Sequence, residues 1–339
     1  VNEVNEMDEM VTINDIADLA GVSRTTVSRV LNSSGYVSEK ARKKVLKVIE
    51  QTGYVPSEHA KSLRTKKTKV IGVLLPKVST ETISRIVEGI EYVLSENGYH
   101  ILLASANLVA AKELEHLQLL QSRRVEGIIL VATNTNDELV KMIQSLTIPV
   151  TALGQDIPGV SCVLYKDYEA AYDVVSLLIK KGHTRIGFIG VDEADPAVGI
   201  ERKKAYYDCM KKAGLEVEEG WVQKGVFNID SGAAAMERML KKSDRQPTAV
   251  FAVTDRLAVG AMQTLKQEGV AVPDTMSVMS IGASDLSEYV TPPLATVNYF
   301  HEKAGRETAK LMLTQIRTKE VSTKKISMDY RLIERDSLL

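Results

Sequence analysis

The stretch TINDIADLAGVSRTTVSRVLN, Thr12 to Asn32, decides how the N-terminal end of the chain folds. Thr12 followed three residues later by Asp15 reads as a capping box: the hydroxyl takes a free helix N–H while the carboxylate reaches back to the cap. Ile13, Ile16, Ala17 and Ala20 then recur at helical spacing, and Gly21 supplies the stop. Ser23 caps a second helix whose Val27, Val30 and Leu31 turn toward the first. Two short helices joined by a Gly-containing turn make a helix-turn-helix. From the second helix Arg24, Thr25, Thr26, Ser28, Arg29 and Asn32 can reach base edges and phosphates. A third helix, from Ser38 to about Gln51, points Ala41, Val45, Val48 and Ile49 inward and Lys40, Arg42, Lys43, Lys44 and Lys47 outward.

The charge distribution supports a nucleic-acid partner at this end. Of the 339 residues, the net charge is −1, yet Met10 to Lys69 holds 12 Lys+Arg against 5 Asp+Glu, a net +7, so the remainder carries −8. A basic module joined to a mildly acidic body is the pattern of a protein with one DNA-binding end. With 44% hydrophobic and 26% charged residues the chain has the composition of a globular protein, and its length suggests more than one domain. No run approaches the roughly 18 apolar residues of a membrane span, and the acidic opening from Val1 to Met10 is unlike a signal peptide. Met7 and Met10 are both plausible starts, so residues 1–9 are left open. Cys162 and Cys209 lie far apart without metal or disulfide spacing, which points to a reduced, cytoplasmic setting.

Beyond Lys69 the pattern changes to strands alternating with helices. Val70 to Pro76 is an apolar, β-branched run closed by proline. The helix after it carries Ile83, Ile86, Val87, Ile90, Val93 and Leu94 on one stripe, and strands follow at Tyr99–Ala104, Gly127–Ala132 and Pro149–Leu153. A second apolar run, Arg185 to Val191, echoes the first and is followed by a helix from about Gly199 to Ala213 and strands near Val222 and Ala249–Val253. Such alternation implies α/β architecture with parallel sheets covered on both faces.

Nearly position for position, the segment from Thr12 to Asn32 resembles the DNA-binding signature of the lactose-repressor (LacI/GalR) family of bacterial transcription regulators, and the likeness extends over the rest of the chain. It implies an α/β fold: a small all-α helix-turn-helix domain (residues 10–57), a hinge helix or linker (58–68) and two doubly wound α/β subdomains of periplasmic-binding-protein type (69–339). By that analogy the N-subdomain takes residues 69 to about 162 plus 294–325. The C-subdomain takes about 163–291 plus 326–339, including a last strand near Ile326 to Leu332. The family reading further implies a homodimer on operator DNA and a small-molecule sugar effector, with no cofactor. Ala60 to Arg64 looks like the hinge segment, with Leu63 where a leucine wedges into the minor groove and Arg64 beside it. Ser57 and Lys61 replace the more usual Asn and Arg while keeping polarity or charge.

Ligands of open α/β sheets sit beyond the carboxyl ends of the strands, which picks out Lys77, Ser79, Ser105, Gln155, Asp192, Asp255 and Ser284. The resemblance adds Arg202, whose planar fork suits hydroxyls or carboxylates, and Phe227, placed to stack on a ring. It also places Asp255 as an acceptor of ligand hydroxyls. Departures from the family, namely Thr80, Glu81, Thr82 and Ile83 after the first strand, Gly154 for a common aspartate, and Gly282-Ala283-Ser284, resemble the trehalose- and sucrose-responsive branch. Lys77 then stands where a sugar phosphate would be received, and Lys166 where an acid is common, so the implied effector is a disaccharide or its phosphate.

Two alternatives use the same two-lobed cleft. A sugar-processing enzyme would pair carboxylates from Asp192, Asp255 and Asp285, and a transport-type binding protein would carry no DNA-binding end. The helix-turn-helix argues against the enzyme, and the absence of a recognisable signal peptide against the transport protein. No GxxxxGK[ST] or GxGxxG follows a strand, and the histidines, His301 among them, form no catalytic signature.

Overall fold

The first helix begins where Thr12 Oγ1 accepts the Asp15 N–H at 3.4 Å while the Asp15 carboxylate accepts the Thr12 N–H at 2.7 Å. The Thr12 hydroxyl, donating to the Asp15 carboxylate at 2.6 Å, and the Thr12 N–H hold that carboxyl below the usual carboxylate range. In the computed structural model, which describes residues 11–54, 67–243, 245–318 and 323–339, this helix is α1 (Ile13–Ala20), ended by Gly21 at φ +62°. Helix α2 (Arg24–Leu31) is capped by Ser23, and α3 (Glu39–Thr52) by Ser38. Ile16, Ala17, Ala20, Val27, Val30 and Val45 form the buried core among the three helices. The hinge expectation, with Leu63 and Arg64, lies outside the described residues.

The chain divides into two compact units, residues 1–68 and 69–339. In the larger unit a six-stranded parallel sheet has the order β11-β5-β4-β3-β1-β2. Its strands are β1 (Val70–Leu75), β2 (His100–Ser105), β3 (Gly127–Val131), β4 (Val150–Leu153), β5 (Ser161–Tyr165) and β11 (Lys325–Met328). Helix α4 (Glu81–Glu96) and helix α12 (His301–Thr318) cover one face, helix α5 (Ala110–Ser122) and helix α6 (Asp137–Ser145) the other. Both faces being covered explains why β1 and β3 read as unbroken apolar runs rather than alternating ones. Helices α4 and α12 meet through reciprocal glycines: a Cβ on Gly89 would collide with the Glu302 carbonyl, and one on Gly305 with that of Ile86.

A second sheet, in the order β7-β6-β8-β9, belongs to the second lobe, with β6 (Ile186–Gly190), β7 (Val222–Lys224), β8 (Ala249–Ala252) and β9 (Ser277–Ser280). Around it pack α7 (Asp167–Lys180), α8 (Arg202–Lys212), α9 (Ile229–Lys242) and α10 (Asp255–Gln267). The short helix α11 (Asp285–Tyr289) follows β9. Strands β10 (Thr296–Asn298) and β12 (Arg331–Ile333) form an antiparallel pair.

Pairing moves the lobe crossings from where the sequence placed them. All of β5 lies in the first sheet, Leu294 to Tyr299 pack in the second core, and β11 pairs with β5 from Lys325–Cys162 to Met328–Tyr165. The final stretch near Ile326 to Leu332 is therefore two strands: one completes the first sheet and the other joins β10. Four apolar-alternating residues satisfy either sheet locally, and only the partner edge decides between them. The helix expected from Gly199 starts at Arg202, preceded by a π-helical turn, Pro196–Glu201. No helix among the described residues is long and apolar enough to cross a membrane.

Candidate functional site

On the small unit, the residues expected to touch DNA separate into caps and exposed groups. Thr12 and Ser23 cap α1 and α2, and Ser23 Oγ lies 2.9 Å from Thr26 Oγ1. Asn32 donates from Nδ2 to the Ser28 carbonyl at 2.6 Å and to Ser28 Oγ at 3.3 Å, which closes the end of α2. Arg24, Thr25 and Arg29 remain on the exposed side, opposite the buried Val27 and Val30. The long cationic side chains are thus the ones placed to reach outward.

In the larger unit a cavity of about 500 Å³ lies between the lobes, at the carboxyl ends of both sheets. Pro76 and Lys77 follow β1, Ala132 follows β3 and Gly154 and Gln155 follow β4, while Asp195, Phe227, Asp255 and Ser284 come from the loops after the second lobe's strands. Of the expected effector residues, Lys77, Gln155, Arg202, Phe227, Asp255 and Ser284 line this cavity. Ser79 stands outside the lining, its backbone carbonyl accepting Arg256 Nη2 at 2.9 Å. Ser105 and Asp192 lie outside it too, and Asp192 pairs on the surface with Lys224. Lys166 is turned to Asp329 at 2.5 Å rather than into the cleft.

The guanidinium inside the cleft is already paired. Arg202, 6% exposed, donates from Nε and Nη2 to Asp167 Oδ1 at 2.7 and 2.6 Å and from Nη1 to the Val253 carbonyl. Tyr299 donates its hydroxyl to the same Asp167 oxygen at 3.1 Å, and the Arg202 guanidinium lies over its ring. Burial raises the Tyr299 phenol well above its ordinary range. Asp255, expected to accept ligand hydroxyls, has both oxygens occupied. Oδ1 accepts from Ser280 at 2.6 Å and Thr296 at 2.7 Å, and Oδ2 from the Ser284 N–H at 2.6 Å and its Oγ at 2.7 Å. A carboxylate with four donors fixes the loop carrying Ser284 at the cavity wall.

Direct bonds join the lobes across the cleft. Arg85 of α4 donates to the Ala283 carbonyl at 2.8 Å and pairs with Asp285 at 2.7 Å, while Glu81 accepts the Asp285 N–H. Burial raises the Glu81 carboxyl, against the lowering effect of that N–H and of Arg85. Deeper inside, Gln155 Nε2 donates to Asp195 Oδ1 at 2.7 Å. Burial pushes the Asp195 carboxyl up to about 6.

Sequence reasoning passed over Tyr165, Asp167, Asp195, Tyr299 and His301, all of which line the cavity. The rings of Tyr165 and Tyr299 stack at 4.7 Å, and Tyr165 Oη lies 2.9 Å from His301 Nδ1. His301 Nε2 is buried without a hydrogen-bond partner. Applying the strand-end rule to β5 would have reached Asp167. Nothing local marks Tyr299 or His301, which reach the cleft from the segment that crosses back between lobes.

Comparison with known proteins agrees with this architecture. Residues 12–57 match the pattern of bacterial regulatory proteins of the lacI family, and residues 175–338 that of a periplasmic binding protein-like domain. The HTH-type transcriptional repressor PurR of Vibrio cholerae serotype O1 (strain M66-2) is 31% identical over 332 residues, 97% of this chain and 98% of that protein. The chain belongs to the lacI family of bacterial regulatory proteins. Among solved structures this lacI-family chain is similar to the transcriptional regulator CelR–cellobiose complex, at 29% identity and TM-score 0.74 over 96% of this chain and 99% of that one. It also shares its fold with the lac repressor dimer bound to operator and the anti-inducer ONPF, at 22% identity and TM-score 0.86 over 97% and 99%. The narrower likeness to trehalose- and sucrose-responsive regulators is not confirmed by these relatives.

Proposed function

We propose that this lacI-family regulator is a homodimeric transcriptional repressor of carbohydrate-utilisation genes whose operator affinity is set by an uncharged disaccharide in the interlobe cleft. The observation that carries the reading is the cleft itself. Aromatic surfaces from Tyr165, Phe227 and Tyr299 line it, and its buried guanidinium is neutralised by Asp167. Aromatic rings pack against the C–H faces of sugars while fixed polar groups orient the hydroxyls. The CelR complex, whose ligand is cellobiose, supports a sugar of this size. A phosphorylated disaccharide is the second reading, favoured by Lys77 on the lining.

At the DNA end, Arg24, Thr25 and Arg29 read bases in the major groove, and Leu63 and Arg64 act in the minor groove at the operator centre. A ligand that touches both lobes favours one of their relative orientations, and by reciprocity it changes operator affinity by the factor by which operator changes its own.

Calorimetry with cellobiose, trehalose, sucrose and trehalose 6-phosphate, with and without operator, tests the effector reading. Binding of a free disaccharide that is insensitive to Lys77→Ala is the expected result. Exclusive binding of the phosphate, lost in Lys77→Ala, would replace it with the second reading. For the DNA end, Arg29→Ala is expected to lower operator affinity by about 1 to 3 kcal/mol and relax preference at one base position. Equal losses on operator and random DNA would refute base reading.

A further inference from the structure

We infer that Asp195 is the specificity-determining acceptor of the cleft, its free oxygen taking a hydroxyl of the ligand while its other oxygen ties the two lobes together. The inference rests on the effector-cleft reading above and deepens it. Asp195 is only 7% exposed, yet its side chain lines the cleft. Oδ1 accepts Gln155 Nε2 from the first lobe at 2.7 Å and the Val198 N–H of its own turn at 3.1 Å. Oδ2 has no hydrogen bond among the described residues. That oxygen is not sealed in protein but opens on the cleft, so it is the acceptor left for a donor that enters there.

The backbone fixes where this oxygen stands. Asp195 caps the π-helical turn Pro196–Glu201, and its carbonyl accepts the Gly199 N–H at 2.7 Å. Gly199 is pressed on the backbone of Asp192, where a Cβ would collide. π-Turns concentrate at functional sites because they re-aim the residues beside them. Here the turn sets a carboxylate acceptor at one end and the guanidinium of Arg202 at the other. A sugar hydroxyl both donates and accepts, so adjacent hydroxyls can meet the two groups. A phosphate or carboxylate placed against Asp195 would meet like charge, so the site selects a neutral polyol at this end. Because Gln155 belongs to the first lobe, the same side chain links ligand capture to apposition of the lobes.

Ionised Asp195 accepts from a hydroxyl and neutral Asp195 does so poorly. Burial raises this carboxyl toward 6; of the charged groups facing it, Arg202 favours ionisation and Asp167 opposes it, while Gln155 from the first lobe is neutral. Ligand affinity is therefore full well above pH 6 and falls as pH drops through it.

The test is calorimetry of the full-length protein with cellobiose, trehalose and sucrose between about pH 5 and pH 8, for the wild type and Asp195→Asn. Asparagine keeps the size and one acceptor oxygen for Gln155 and Val198 but turns a donor toward the cleft. The expected result is a loss of about 10- to 100-fold at pH 8 in Asp195→Asn, the scale of a hydrogen bond to a charged group. The low-pH weakening seen in the wild type should be absent from the variant. A merely structural cap would change Tm without changing this pH profile. Should Asp195→Asn fail to fold, the wild-type profile alone decides: constant affinity across that range overturns the proposal. A disaccharide that binds wild type and variant within about 3-fold, on parallel profiles, overturns the role of Asp195 and leaves the sugar cleft standing. Absence of binding by all three sugars to the wild type overturns both.

Discussion

Replacing Asp167 by Ala strands the Arg202 guanidinium inside the second lobe. The pair is 6–7% exposed on both sides and joined at 2.6 and 2.7 Å, so solvent screening gives little relief. Once the carboxylate is gone, Arg202 retains the Val253 carbonyl, the face of Tyr299 and the charge of Asp195, none of which replaces the direct ion pair. Removing one partner of a buried ion pair destabilises by about 3 to 5 kcal/mol. For a unit of this size each kcal/mol lowers Tm by roughly 2 to 4 °C, which gives a shift on the order of 10 °C. Removing both charges together with Asp167→Leu and Arg202→Met restores much of that loss, because no uncompensated ion remains. Thermal melts and urea titrations of the wild type, the Asp167→Ala, Asp167→Leu and Arg202→Met single variants and the Asp167→Leu/Arg202→Met double variant at pH 7 measure the coupling. A Tm change below about 2 °C in Asp167→Ala, or strictly additive losses in the cycle, would refute the claim that the pair is a mutually dependent buried unit.

Two further outcomes are expected. Gly89→Ala should destabilise the first lobe by about 1 to 3 kcal/mol, since the new methyl must push α4 off the Glu302 carbonyl, whereas Ala at the open position Gly98 should act only through its φ of +70°; urea midpoints of the two variants compare them. Burial, with the charges of Arg202 and Arg85, lowers the His301 pKa to about 3, so the unfolded chain takes up a proton near pH 6.5 that the native state refuses. Stability from this residue is complete above about pH 6.5 and is lost as pH falls toward 3, at up to about 1.4 kcal/mol per pH unit. In His301→Phe that slope should be absent when urea unfolding is compared at pH 5 and pH 7, and identical slopes in both proteins would refute it.

The order of the small unit follows from local signals: Thr12, Ser23 and Ser38 as caps, Gly21 after α1 and Gly53, left-handed at φ +62°, after α3 as stops, and valines at helical spacing. Each acts within a few residues of itself, so sequence suffices. The strand-end rule likewise reached Lys77, Gln155 and Ser284, because a loop after a parallel strand opens on the ligand side wherever the sheet lies. What it could not assign is partnership. Asp255 sits where a ligand acceptor is expected, but Ser280, Ser284 and Thr296 arrive from other segments and take all its acceptor sites. Asp195 and Asp167 differ from other acidic residues only in what folding brings to them, Gln155 from the first lobe in one case and Arg202 in the other. Tyr299 and His301 enter the cleft through a crossing whose position depends on which sheet edge accepts β11, a choice made by long-range pairing. Sequence by itself therefore determined the helix-turn-helix, the strand-helix alternation and the general place of the cleft, whose causes are short-range. Tertiary structure alone decided which charges are already paired and which oxygen of Asp195 is left without a donor, because burial and hydrogen-bond saturation are set by residues distant in the chain.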